Sequence, residues 1–139
     1  MSAAAPNQET HQHPSESWAF ATPDALVLGA RRGVELKWSG IRQAHRWGEP
    51  PDGHIPDEYL AQAAWYMWVL DYPEWDVAAL VGDRDFRVFR LARNRDFEAA
   101  LVEAGRRFWF ANVVERNPPS LDGTAATEQY IKSKWPADR

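Results

Sequence analysis

The chain has 139 residues, enough for one domain with a modest core. It is 45% hydrophobic and 26% charged, the balance of an ordinary globular protein. It has no cysteine, which excludes a disulfide framework, a thiol nucleophile and thiolate metal sites, and its net charge of -4 gives no global basic signature for nucleic acid.

Residues 1–15 are rich in Ala, Pro, Gln and His without periodicity, so a disordered leader is expected there. It lacks the charged-then-apolar order of a signal peptide. No apolar run approaches the roughly 20 residues that span a bilayer. With no cysteine, these features fit a cytoplasmic protein.

Residues 18–28, "WAFATPDALVL", read as an extended apolar segment, with Pro23 marking an edge or a break. Gly29-Ala30-Arg31-Arg32-Gly33 is a hairpin-length connection to a second strand over 34–39, predicted to pair antiparallel with the first. "GEPPDG" is a loop. Pro56 then opens a helix with Asp57 and Glu58 in its first turn, where the helix dipole favours carboxylates; it runs to about Asp71, and Pro73 ends it.

"WDVAALV" reads as a buried strand, Gly82-Asp83-Arg84-Asp85 as a turn and "FRVFRL" as a further strand. Asn94 caps a long helix, "RDFEAALVEAGRRFWFANVVE", which Pro118-Pro119 stops, and a short helix is expected near 125–134. The order β-β-α-β-β-α predicts an α/β domain with a mixed sheet covered by helices. The expected organisation is the leader over 1–15, one domain over 16–123 and a tail over 124–139.

The segment "GVELKWSG" places Glu35 and Lys37 two residues apart on one strand face, opposite Val34, Leu36 and Trp38. A solvated outer face explains such a pair simply, because a buried ion pair stabilises a sheet no better than apolar residues do. Composition alone produces Glu-x-Lys on the order of once per few hundred positions. The context points the other way. Asp24 directly follows Pro23 on the preceding strand, and pairing through the Gly29–Gly33 turn puts position 24 opposite position 38 or nearby, close to Glu35.

Two carboxylates converging with a lysine make a hard-oxygen site suited to Mg²⁺ or Mn²⁺. The lysine can orient or help deprotonate a water and offset charge on a phosphate, and the ion would polarise a phosphodiester. On the following helix Gln62 and Tyr66 are four apart and share a face, with Tyr59 on the same side. The amide and phenol could support Lys37, a metal-bound water or a nucleic-acid backbone; the simpler reading puts Tyr66 and Trp65 in the core.

Between residues 31 and 46, five cations stand against Glu35 alone. Arg31, Arg32, Arg42 and Arg46 are the candidate phosphate contacts, because they flank the site. Trp65 and Trp68 could stack bases or fill the core. Phe108, Trp109 and Phe110 suit packing or an oligomer contact, and the four histidines match no compact zinc spacing.

The ordered series "TPD", "VELKWSG", "IPDEYLAQAAWYMWVL", "WDVAALVGDRDFRVFRLAR" and "FEAALVEAGRRFWF" resembles the YqaJ-like viral recombinase nucleases. These are phage alkaline exonucleases related to lambda exonuclease, within the PD-(D/E)xK superfamily. The similarity runs from about residue 13 to residue 123. It implies a restriction-endonuclease-like mixed sheet flanked by helices. It also implies a Mg²⁺-dependent (or Mn²⁺-dependent) nuclease that digests DNA, typically from duplex ends in the 5′ to 3′ direction, for recombination.

By the same resemblance Asp24 and Glu35 are metal ligands, the Leu36 carbonyl completes the set, Lys37 is the catalytic lysine, and Gln62 and Tyr66 support the site. Relatives usually carry a further N-terminal region with another acidic residue, whereas only the leader precedes Trp18. The expectation is therefore a minimal domain. Its partners would be DNA, a single-strand annealing protein or a chain supplying the missing region, and homo-oligomers occur among relatives. The alternative is a relative that has lost efficient cleavage and serves as a DNA-binding or protein-interaction module.

Overall fold

Two stretches of sequence position everything else: an eight-residue strand carrying the charged pair, and the apolar helix that crosses over it. The computed structural model describes residues 3–7, 9–51, 53–82 and 84–135. Asp52 of the expected loop, Asp83 of the expected turn, residues 1, 2 and 8 of the leader and the tail end at 136–139 lie outside the described residues.

Five strands form the main sheet in the order β1-β4-β5-β6-β7: β1 (Ala4–Pro6), β4 (Ala25–Val27), β5 (Arg32–Ser39), β6 (Glu74–Val81) and β7 (Asp85–Ala92). A two-stranded ribbon joins β2 (His11–Gln12) to β3 (Phe20–Ala21). The β5–β6 pair is parallel and every other pair is antiparallel, so the sheet is mixed. Parallel neighbours need a crossover connection, and α1 (Asp57–Leu70) supplies it after a 3₁₀ segment over Ile41–Arg46. The architecture is a restriction-endonuclease-like α/β fold.

The chain divides into two compact units, Met1–Ala104 and Gly105–Arg139. The helix α2 (Arg95–Phe108) is capped by the Asn94 side chain, whose Oδ1 accepts from the N–H groups of Asp96 and Phe97 at 3.1 and 3.0 Å. The long regular helix expected to run on to residue 115 instead widens into a π-helical stretch over Trp109–Val114. In the second unit α3 (Ala125–Lys134) starts at Thr124, and hydrogen bonds from Thr127 and Thr124 hold the Asp122 carboxyl down to about 2. No described helix is long and apolar enough to cross a membrane.

The helix α1 is buried on two sides, which accounts for its near-uniform apolarity. Ala63 and Met67 meet Trp75, Val77, Ala79, Val81 and Phe89 of the sheet, with Trp47 and Ile55 closing the core. On the other side Trp65, Trp68 and Val69 pack with Trp18, Ala19 and Ala21, and Trp65 Nε1 donates to the Phe20 carbonyl at 2.9 Å. His13 stacks on Trp68 at 4.2 Å. The leader is therefore not disordered in the described residues. Strands of two or three residues carry no readable periodicity; they are held by pairing with distant partners, β1 with β4 and β2 with β3.

The hairpin register also differs from the expected one. Ala25 pairs with Val34 and Leu26 with Gly33, so the reversal centres on Gly29 and Ala30, and position 24 aligns with 35 rather than 38. Gly29 takes the left-handed conformation (φ 73) that lets the chain turn early. Gly33 serves a different purpose. A Cβ there would run into the Trp75 indole, so its lack of a side chain lets the strand sit against that ring.

The leader also supplies a clamp. Asn7 N–H donates to the Asp24 carbonyl at 3.0 Å, and its side-chain Nδ2 donates to the carbonyls of Pro23 at 2.9 Å and Glu9 at 2.8 Å. Replacing Asn7 with Ala removes three side-chain bonds, to Pro23, Glu9 and, at 3.3 Å, His11 Nε2, each worth at most about 1 kcal/mol. Asn7→Ala is predicted to lower stability by about 1–2 kcal/mol in urea denaturation. An unchanged midpoint would show that the 23–24 segment holds itself.

Candidate active site

Strand β5 is inverted with respect to the hydrophobic rule. Leu36 and Trp38 are 58% and 68% exposed, while Glu35 is 6% exposed and faces α1. The solvated-face explanation for the charged pair therefore fails. The reason is what lies on each side: the odd-numbered positions of β5 align with Trp75, Val77, Ala79 and Val81 of β6, the face that α1 covers.

Lys37 Nζ lies 2.7 Å from Glu35 Oε1 and 2.7 Å from Gln62 Oε1. Gln62 Nε2 donates back to Glu35 Oε1 at 2.9 Å and to the Tyr66 hydroxyl at 3.2 Å. An ammonium only donates and a carboxylate only accepts, so the two partners fix which way the Gln62 amide points. Tyr66 is held in turn by edge-on contact with Trp75 at 5.6 Å. Lys37 also sits over the Tyr59 ring, 4.7 Å from its centroid. Positions 59, 62 and 66 present one face of α1 to the strand, as their spacing predicts.

Glu35 Oε2 is buried and has no hydrogen-bond partner. A buried lone pair of an acidic group left unmatched is costly and unusual. Asp24 sits at the start of β4, exposed, with Oδ2 accepting the Leu36 N–H at 2.7 Å. A strand residue turns its N–H and C=O to the same edge, so the Leu36 carbonyl faces the edge where Asp24 lies. Among the described residues no group of three or more His, Cys, Asp or Glu side chains converges. Two carboxylates, a carbonyl and waters suit Mg²⁺, which keeps much of its hydration and takes one or two protein carboxylates. The donor set and the orphaned Glu35 oxygen thus fit such an ion.

The four arginines expected to contact phosphate have different surroundings. Arg31 bonds the carboxylate and carbonyl of Asp71. Arg32 lies against Glu74 and Asp76 with little exposure, as part of the outward sheet surface. Arg46 pairs with Glu58 at 2.7 Å beside the first turn of α1. Arg42 is exposed and has no carboxylate partner among the described residues. Asn7 is the site-supporting residue that sequence reasoning missed; an Asn whose side chain organises nearby backbone, as here with Glu9, is a known turn signal, but its bonds to Pro23 and Asp24 reach sixteen and seventeen residues along the chain.

The fold is of the PD-(D/E)xK nuclease type, with the inward-facing Glu35 and Lys37 on its central strand. The chain belongs to the YqaJ-like viral recombinase domain family, whose model matches residues 4–73. It is 27% identical over 126 residues to the uncharacterized protein YqaJ of Bacillus subtilis (strain 168), covering 89% of this chain and 39% of that one. An alkaline exonuclease from Laribacter hongkongensis superposes with a TM-score of 0.65 at 18% identity, over 96% of this chain and 62% of that chain. A structure of that exonuclease with dAMP gives 0.62. The structure of SSO0001 gives 0.58 at 14% identity, over 96% of this chain and 60% of that one. The chain thus spans about two fifths of its curated relative and about three fifths of these solved ones.

Burial pushes the Glu35 carboxyl above its ordinary value of 4.5; the Lys37 ammonium and the Gln62 amide oppose this, and the Asp24 charge reinforces it. The folded state therefore keeps this proton to a higher pH than the unfolded chain does. Between those two values unfolding releases a proton, so stability falls as pH rises and the loss persists above the folded-state value. In Mg²⁺-free urea titrations, wild type is predicted to lose stability relative to Glu35→Gln as pH rises from about 4.5, with a constant difference at higher pH. Parallel curves would mean that Glu35 ionises as freely in the fold as outside it.

Proposed function

We propose that this chain is a metal-dependent deoxyribonuclease domain of the phage recombination type, acting on DNA in the cytoplasm. The observation that carries the reading is the buried Glu35 oxygen without a partner, next to a lysine already oriented by a carboxylate and an amide. Family membership and the alkaline exonuclease fold support it. So does the dAMP complex of the Laribacter enzyme, since a nucleoside monophosphate is what an exonuclease releases.

In this reading Asp24, Glu35 and the Leu36 carbonyl hold Mg²⁺ or Mn²⁺, which when bound polarises a phosphodiester and lowers the pKa of its water. Lys37 directs its remaining N–H toward the attacking water or the phosphate oxygens and offsets the charge that develops there. Gln62 keeps the ammonium and the Glu35 carboxylate in register, and Tyr66 keeps Gln62 from rotating away. Exposed Arg42 takes a backbone phosphate, with Arg46 beside it once Glu58 is displaced; Arg31 and Arg32 act through their carboxylate partners instead. A single-strand annealing protein, a second chain or further copies of this one are the partners such a domain would use.

A second reading has one observation in its favour: no group of three acidic or histidine side chains converges among the described residues. It makes the domain a DNA-binding relative that cuts poorly. A Mg²⁺ cleavage assay on linear duplex and closed circular DNA separates the two. Wild type should degrade the linear form and spare the circle, Lys37→Ala should lose about a hundred-fold or more, and Gln62→Ala should lose less. Circular dichroism of Lys37→Ala should confirm that it folds before its cleavage is compared with wild type. Equal cleavage by Lys37→Ala overturns the mechanism, and no cleavage by folded wild type favours the second reading.

A further inference from the structure

The geometry points to Tyr59 as a positioning residue for Lys37, backed by aromatic rings that run from the core to the site. Phe89, fully buried, lies 5.7 Å from the Trp47 ring; Trp47, also buried, stacks on Tyr59 at 5.6 Å with the planes 28° apart. Tyr59 then presents its face to the Lys37 ammonium at 4.7 Å. The Trp47 backbone is held too, because its carbonyl accepts from Arg87 Nη1 at 3.1 Å. The ring is therefore not a loose surface tyrosine that happens to lie near a lysine.

The chemistry gives the ring a role that a third polar side chain would fill badly. Lys37 has one anionic partner, Glu35 Oε1, and Glu35 is also the residue with an oxygen to spare. A second carboxylate beside the ammonium would compete for it and raise the negative charge of a site meant for phosphate. The face of an aromatic ring attracts a cation without carrying a charge. It holds the ammonium in place whether or not Glu35 keeps its hydrogen bond. The Gln62 carbonyl, turned toward Lys37 in part by Glu35, and the Tyr59 face, which Glu35 does not touch, thus share the holding of the ammonium.

This inference rests on the nuclease reading for its kinetic arm and on none of it for its spectroscopic arm. Tyr59 is replaced by Phe and then by mono-, di- and trifluorophenylalanine, a series that keeps the ring's shape while draining charge from its face. Phe should cut DNA like wild type, and kcat should fall about two-fold with each fluorine at constant KM and melting temperature. In the metal-free protein, NMR should find the Lys37 ε-methylene protons shifted upfield by the ring, and back at their ordinary position in Tyr59→Leu. A flat fluorine series in an enzyme that depends on Lys37, or ε-protons indifferent to the ring, overturns the assignment. If wild type does not cut DNA, the nuclease reading falls and the ε-proton shift alone decides the role of Tyr59.

Discussion

A carboxylate and an ammonium turned inward from a central strand are the constraint around which this domain is arranged. Taking each charge out of water carries an effective penalty of several kcal/mol, recovered only if geometry and further hydrogen bonds are good. The surroundings of Glu35 and Lys37 answer that requirement in part. Gln62 serves both charges, Tyr66 steadies Gln62, and Tyr59 faces the ammonium. One oxygen of Glu35 is left over. A pair kept for stability alone would have no reason to leave it so, whereas a cation seat would.

The rest of the fold serves to hold that arrangement still. Because α1 packs on the sheet on one side and on the β2–β3 ribbon segment on the other, the face carrying positions 59, 62 and 66 cannot roll away from β5. Three of the eight tryptophans, Trp18, Trp65 and Trp68, meet at this second contact, where short strands have little area with which to fix a helix unless the side chains are large. Asp24 is brought to Glu35 by the early turn at Gly29, by buried Pro23 and by the Asn7 clamp. The exposed carboxylate and the buried one thus come to facing register positions, 24 and 35, by separate routes. One is exposed to solvent, and the other faces the core.

Much of this was legible in the sequence, for reasons particular to each element. Pro56, Asp57 and Glu58 announce the start of α1, and the i, i+4 spacing of Gln62 and Tyr66 places them on one face. Alternation showed that Glu35 and Lys37 share a face but not which face is inward. The apolar set Val34, Leu36 and Trp38 votes for the wrong one, because the decision belongs to α1, more than twenty residues away. Two glycines flank the hairpin connection, and only the Trp75 ring packed against Gly33 shows that Gly29 makes the turn. The leader strands and the carboxylates that occupy Arg31, Arg32 and Arg46 are long-range pairings, which no local pattern encodes.

The most direct test of the central claim is whether the free Glu35 oxygen and Asp24 form a seat for a divalent cation. A ligand that binds only the folded state raises its stability by mass action. Thermal melting of wild type, Asp24→Asn and Glu35→Gln is measured with and without millimolar Mn²⁺ or Mg²⁺. The account predicts a rise in melting temperature for wild type that both variants lose. No shift in wild type, or an equal shift in all three proteins, would contradict it.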